Sequence, residues 1–90
     1  MPKVIIPQQY QKLAADNNEY NTANTHLSDV FAECAATYPQ LVGSLLNEQY
    51  QPQPFISVFV DGEQVDDHDI DNTQLAPDTE VLFVNAVAGG

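Results

Sequence analysis

Thr25-His26-Leu27-Ser28-Asp29-Val30-Phe31-Ala32-Glu33-Cys34-Ala35-Ala36-Thr37-Tyr38-Pro39 carries the clearest helix pattern in the chain. Leu27, Val30, Phe31, Cys34, Ala35 and Tyr38 recur at helical spacing, so a helix gathers them into one apolar stripe. Thr25 suits the N-cap, and Asp29 lies in the first turns, where the helix dipole favours negative charge. Pro39 ends the pattern. A helix with one apolar stripe needs one surface to cover, and the segments on either side read as the strands that supply it.

On the N-terminal side, Val4-Ile5-Ile6 is β-branched and predicts a strand over residues 3–6. Pro7 ends that strand or confines it to an edge. Residues 8–18 read as a loop anchored by Tyr10 and Leu13, and residues 19–23 alternate weakly as a second strand. On the C-terminal side, Leu41, Val42, Leu45 and Leu46 predict a second, short helix. Two prolines in Tyr50-Gln51-Pro52-Gln53-Pro54 impose an extended linker. Residues 55–60, Phe-Ile-Ser-Val-Phe-Val, are a strong strand. Asp61-Gly62 is a two-residue hairpin signal, and Glu63-Gln64-Val65 is the return strand. Residues 66–79 read as a polar connection held by Leu75, with a turn at Pro77-Asp78. Residues 80–86 are the last strand. The order strand, strand, helix, strand, short strand, strand is that of an α+β layer pair.

The chain has 90 residues, room for one modest core and one domain. Two Lys and Arg stand against thirteen Asp and Glu, a formal charge of -11. Lys3 and Lys12 are the only bases, so neither nucleic acid nor an anionic membrane is an expected partner. With 43% apolar and only 17% charged residues, the chain is not an acidic disordered tail. No stretch approaches the roughly 20 apolar residues of a membrane span, and the start is too short in apolar residues for a signal peptide. Cys34 is the single cysteine, which leaves no disulfide framework or zinc pattern. The expectation is a cytoplasmic protein whose partners are basic proteins.

The last two residues are Gly89 and Gly90. A terminal carboxylate is ionised at neutral pH and can attack the α-phosphate of ATP to form an acyl-adenylate. Glycines lack Cβ, so an extended backbone ending in them can thread a narrow partner tunnel. Val81-Leu82-Phe83-Val84-Asn85-Ala86-Val87-Ala88-Gly89-Gly90 resembles the end of the ubiquitin-like sulfur-carrier family, the MoaD/ThiS family. Ala86-Val87-Ala88-Gly89-Gly90 is especially similar to carriers of cysteine biosynthesis. Val4-Ile5-Ile6-Pro7 resembles the family's first strand, and Thr25 to Val30 with Tyr38-Pro39 its helix. Val58-Phe59-Val60-Asp61-Gly62-Glu63 resembles its hairpin, and Leu75-Ala76-Pro77-Asp78-Thr79-Glu80-Val81 its approach to the last strand. Two residues depart from the pattern: Asn85 stands where the family usually has Pro, and Pro77 stands near a usual Gly.

The resemblance implies a β-grasp fold, a mixed four- to five-stranded sheet with one main helix on one face. Residues 1–86 would form that domain and residues 87–90 a flexible tail. It implies a carrier and not an enzyme. A partner adenylyltransferase/sulfurtransferase related to ubiquitin-activating enzymes would adenylate Gly90, using its own ATP and magnesium. A sulfur donor would convert Gly90 to a thiocarboxylate, and a sulfur-acceptor synthase would take the sulfur toward cysteine, molybdopterin, thiamine or a related metabolite. Gly89, Ala88 and Val87 would give access to the reactive end. A protein modifier joined to lysines through Gly90 is an alternative, as is a plain interaction subunit.

Strand alternation predicts a docking face beside the tail. Ile56, Val58, Val60, Val81 and Phe83 point to the helix, which leaves Phe59, Leu82 and Val84 as an exposed apolar patch of the kind that marks interaction sites. Asp67, Asp69, Asp71 and Asp78 fall at positions of a calcium-loop pattern, but Asn72 replaces its turn glycine, and no metal site is expected. Cys34 reads as a core filler. His26 and His68 read as surface residues.

Overall fold

The computed structural model describes residues 1–85. Five strands form one sheet: β1 (Lys3–Ile5), β2 (Glu19–Asn21), β3 (Ile56–Val60), β4 (Glu63–Val65) and β5 (Glu80–Asn85). Their order is β2-β1-β5-β3-β4, with β1 and β5 parallel and every other pair antiparallel. One helix, α1 (Leu27–Thr37), covers one face. This is the β-grasp arrangement that the sequence predicts.

The predicted apolar stripe of α1 is the core. Leu27, Val30, Phe31 and Cys34 are fully buried, and Ala35 nearly so. They meet Val4, Ile56, Val58, Val81 and Phe83 from the sheet. Phe31 and Phe83 stack at 5.6 Å between ring centroids, a tilted aromatic contact at the centre of the layer pair. Removing apolar area of this kind from water is the main force holding helix to sheet.

The N-terminus of α1 differs from its predicted capping. His26, not Thr25, takes the N-cap position, and no side chain caps it. One backbone group does that work: Leu27 N–H donates to the Thr73 carbonyl at 3.0 Å, while Leu75 N–H donates to the Thr25 carbonyl at 2.7 Å and ties the same segment to the residue before the cap. The orphan donors of a helix start take any suitable acceptor, and here a neighbouring segment supplies one.

Three predicted segments are more ordered, or ordered differently, than their sequences read. Residues 8–14 are not a loop but a 3-10 helix (Gln8–Ala14), with Tyr10 and Ala14 buried. It ends where Ala15 and Asp16 turn left-handed, at φ 55° and 64°. The predicted helix over Leu41–Leu46 is absent. A short 3-10 turn (Pro39–Leu41) gives way at Gly43, whose φ of 96° is incompatible with a right-handed helix. Gly43 N–H then donates to the Leu46 carbonyl at 2.7 Å. Leu41, Leu45 and Leu46 are nevertheless fully buried, so their apolar spacing reflects a folded turn and not a helical face. In the acidic connection, Asp67–Asn72 form a third 3-10 helix that packs on α1 and buries Ile70 beside the predicted anchor Leu75.

The hairpin is as predicted. Asp61 and Gly62 both have positive φ, 50° and 86°, the turn geometry that matches strand twist. β1 is one residue shorter and β2 two residues shorter than predicted. Ala86 and the predicted boundary between domain and tail lie outside the described residues. Among the described residues no helix is long and apolar enough to cross a membrane.

Candidate functional site

The expected reactive end, Gly90, lies outside the described residues, as do Gly89, Ala88 and Val87. The described part of the site is the strand that leads to them and the sheet face around it. β5 lies in the middle of the sheet. From Glu80 to Leu82 it pairs with β1, and from Val81 to Asn85 it pairs with β3. Its end is held on two sides. Asn85 pairs with Ile56 in the ladder, and its side-chain amide donates to the Tyr10 hydroxyl at 3.3 Å.

Phe59, Leu82 and Val84 share the sheet face opposite α1, as their alternation predicts. Leu82 is 38% and Val84 36% exposed, while Val81 and Phe83 beside them are buried. Phe59 departs from expectation, being half-buried and not exposed. Its register neighbours explain this: it lies between Leu82 on β5 and Gln64 on β4. Cross-strand neighbours this close cover each other's flanks. Gln64 also donates from Nε2 to Ser57 Oγ at 3.3 Å, which lays its side chain along the same face. Ile5 completes the apolar row. It pairs with Leu82 from the other side, so Ile5, Leu82 and Phe59 run across three strands. Sequence reasoning missed Ile5 because the parallel register of β1 on β5 is a long-range fact. Its position between the inward Val4 and Ile6 was the available signal.

The acidic connection does not cover this face. Ile70 and Leu75 are buried in the core that α1 covers, and the bonds from Thr73 and Leu75 tie the segment to the start of α1. The patch therefore faces solvent, rimmed by carboxylates. Glu80 lies at the start of β5, where its N–H donates to Asp61 Oδ1 at 3.0 Å. Glu19 lies on the edge strand and pairs with Lys3 at 3.3 Å, which neutralises one of the two cations. The antiparallel return of β4 brings Asp66 and Asp67 to the end of the sheet where Asn85 lies. There they line a groove of about 230 Å³ with Pro52, Pro54, Ser57 and Gln64.

The calcium-loop spacing does not produce a loop. A 3-10 helix has three residues per turn, so Asp67, Asp69 and Asp71, two apart, point in different directions. Asp66, His68 and Asp69 bring one ligand atom each within 4.8 Å of one another, all on exposed side chains, with His68 Nε2 3.6 Å from Asp69. His26 is half-buried at the helix start, its backbone bridged to Gln74.

Cys34 is fully buried, as its place on the stripe predicts, with Sγ 2.8 Å from the Tyr20 hydroxyl. Burial pushes the thiol up to about 11, against a smaller opposing pull from the Tyr20 hydrogen bond. Tyr20 is itself pushed well above its ordinary range, chiefly by burial and then by Cys34 and Glu33. Both groups stay protonated at neutral pH, which suits their place in the core.

The comparisons with known proteins agree with this architecture. The family model described as ThiS family matches residues 4–90. Among solved structures, a chain of the Amycolatopsis orientalis BexX/CysO complex superposes with a TM-score of 0.81 at 17% identity, covering 100% of both chains. Mycobacterium tuberculosis CysO, described as an antigen, gives 0.80 at 19% identity over 97% of this chain and 100% of that one. H. volcanii small archaeal modifier protein 1 gives 0.73 at 12% identity over 96% and 97% of the two chains. At such identities the likeness bears on fold. No curated protein matches the sequence.

Proposed function

The chain belongs to the ThiS family, and from that premise we propose that it is a sulfur-carrier protein activated at Gly90. The observation that carries the reading is the family match itself, which runs through Gly89 and Gly90. In the proposed cycle the Gly90 carboxylate attacks the α-phosphate of ATP on a partner adenylyltransferase, and pyrophosphate leaves. Hydrosulfide-level sulfur then adds to the acyl carbon, AMP leaves, and the terminus becomes a thiocarboxylate without net oxidation. A downstream synthase accepts that sulfur. Nucleotide and magnesium belong to the activating partner, and the carrier acts as its co-substrate.

The chain's own part is presentation. Gly89, Ala88 and Val87 offer only small or aliphatic groups on the way to Gly90. Leu82 and Val84, with half-buried Phe59 and Ile5, form the apolar surface on which the activating enzyme docks, and the carboxylate rim favours a basic partner. The BexX/CysO complex pairs a protein of this fold with a second protein, which supports looking for a protein partner here. The test is ATP–pyrophosphate exchange by a ubiquitin-activating-like adenylyltransferase. The full chain should support exchange, and deletion of Gly90 should abolish it. Equal exchange without Gly90 contradicts the reading.

A second reading keeps the fold. The likeness to a small archaeal modifier protein favours conjugation of Gly90 to lysines on other proteins. Isopeptide-linked adducts recovered from cells, with no thiocarboxylate form detected, would select it.

A further inference from the structure

We propose that Tyr10 is a positioning residue: its hydroxyl anchors Asn85 and thereby fixes the end of β5 that leads to Gly90. The inference rests on Gly90 being the activated end, and it assigns a role in that step to a residue more than seventy positions away.

Topology creates the need. β1 ends at Ile5, opposite Leu82. Pro7 has no N–H to extend a ladder, so β1 has no continuation beside Phe83, Val84 and Asn85. Among the described residues, the ladder of β5 along that length is with β3. A strand end held on one side frays more readily than one held on both.

The segment after Pro7 supplies the missing flank. Tyr10 N–H donates to the Pro7 carbonyl at 2.9 Å, which starts the 3-10 helix Gln8–Ala14 and turns Tyr10 inward, to 9% exposure. Asn85 continues the inward series of Val81 and Phe83, since alternate residues of a strand share a face. An amide at the rim of an apolar core needs polar partners, and the Tyr10 hydroxyl, 3.3 Å from Nδ2, is one of them. The bond spans 75 positions of sequence, so it ties the first turn of the chain to its last described residue. With Ile56 on the other side, this end of β5 is fixed laterally. A fixed strand end lowers the ordering cost when the tail enters a partner, so its loss weakens binding and leaves the bound geometry of the carboxyl unchanged.

Tyr10→Phe keeps the ring and removes the hydroxyl. In exchange assays with an adenylyltransferase that accepts the full chain, the KM for the carrier should rise about two- to tenfold, the range of one hydrogen bond, with kcat unchanged. Asn85→Ala should give a similar rise, and the double variant no more than either alone. Wild-type KM in both single variants, or effects that multiply in the double, overturns the proposal. Asn85→Ala also serves should Tyr10→Phe fail to fold. A second measurement needs no enzyme: in NMR spectra of the free chain, the Asn85 side-chain amide resonances should shift on Tyr10→Phe. Unchanged resonances overturn the anchor even where the carrier is activated. Shifted resonances in a chain that no adenylyltransferase activates support the anchor and count against the carrier reading instead.

Discussion

Cys34 and Tyr20 face each other across the helix–sheet boundary, with the Glu33 carboxylate beside them. The thiol moves from an ordinary 9.0 up to about 11, first because burial disfavours the thiolate and then because Glu33 repels it. An acid whose pKa is raised by folding is stabilising in its protonated form. The contribution is complete below pH 9, where the unfolded chain also keeps its proton. It is lost as pH climbs toward 11, because the unfolded state then releases a proton that the native state retains. Tyr20, shifted in the same direction, adds to the loss above its ordinary 10.0. Denaturant midpoints should therefore be flat across neutral pH and fall above pH 9, and Cys34→Ala should flatten part of that fall. An identical alkaline slope in the variant would remove Cys34 from the account. The burial of Cys34 was legible from the helical stripe, since thiols on such stripes are core fillers. Its partner was not, because Tyr20 sits on a strand whose register against β1 depends on contacts far apart in sequence.

At the scale of elements, the outer face of the sheet carries the sharpest expectation. Leu82 is more than a third exposed and contributes little to the core, while Val81 and Phe83 beside it are fully enclosed. Leu82→Glu should leave the melting temperature within a few degrees of wild type and raise the KM for an activating enzyme about tenfold or more, as loss of a central interface residue does. A KM unchanged by the substitution would move the docking surface elsewhere. Strand alternation and the Asp61-Gly62 turn made this face readable in advance, because period-two patterning and positive-φ turn residues are local signals. The errors fell where local signals run out. Leu41, Leu45 and Leu46 have helical spacing, yet Gly43 takes a left-handed conformation between them. Tyr10 and Leu13 looked like isolated anchors, yet one turn of 3-10 helix started at Pro7 is enough to bury Tyr10. Phe59 points outward as its alternation predicts, but its enclosure by Leu82 and Gln64 is a property of three strands together.

Taken whole, the molecule measures 31 × 25 × 23 Å and carries a formal charge of -11. Seven of its thirteen acids lie between residues 61 and 78, a stretch that in sequence is clear of the C-terminal tail. The fold divides that group. Asp61 is at the far end of β5, about 17 Å from Asn85 at roughly 3.3 Å per residue. Asp66 and Asp67 are brought back by the β3–β4 hairpin to the end where Asn85 lies, beside Ile56. Negative potential thus lies on the side of the sheet that a basic partner would approach to reach the terminus. Overall charge was readable by counting; its placement required the sheet order. Whether Gly90 accepts sulfur can be read by intact-mass spectrometry. After incubation with ATP, magnesium, a ubiquitin-activating-like adenylyltransferase and a sulfide source, the full chain should gain the mass of one sulfur in place of one oxygen, located by fragmentation at Gly90. A chain whose mass is unchanged while a known carrier in the same mixture is converted would contradict it.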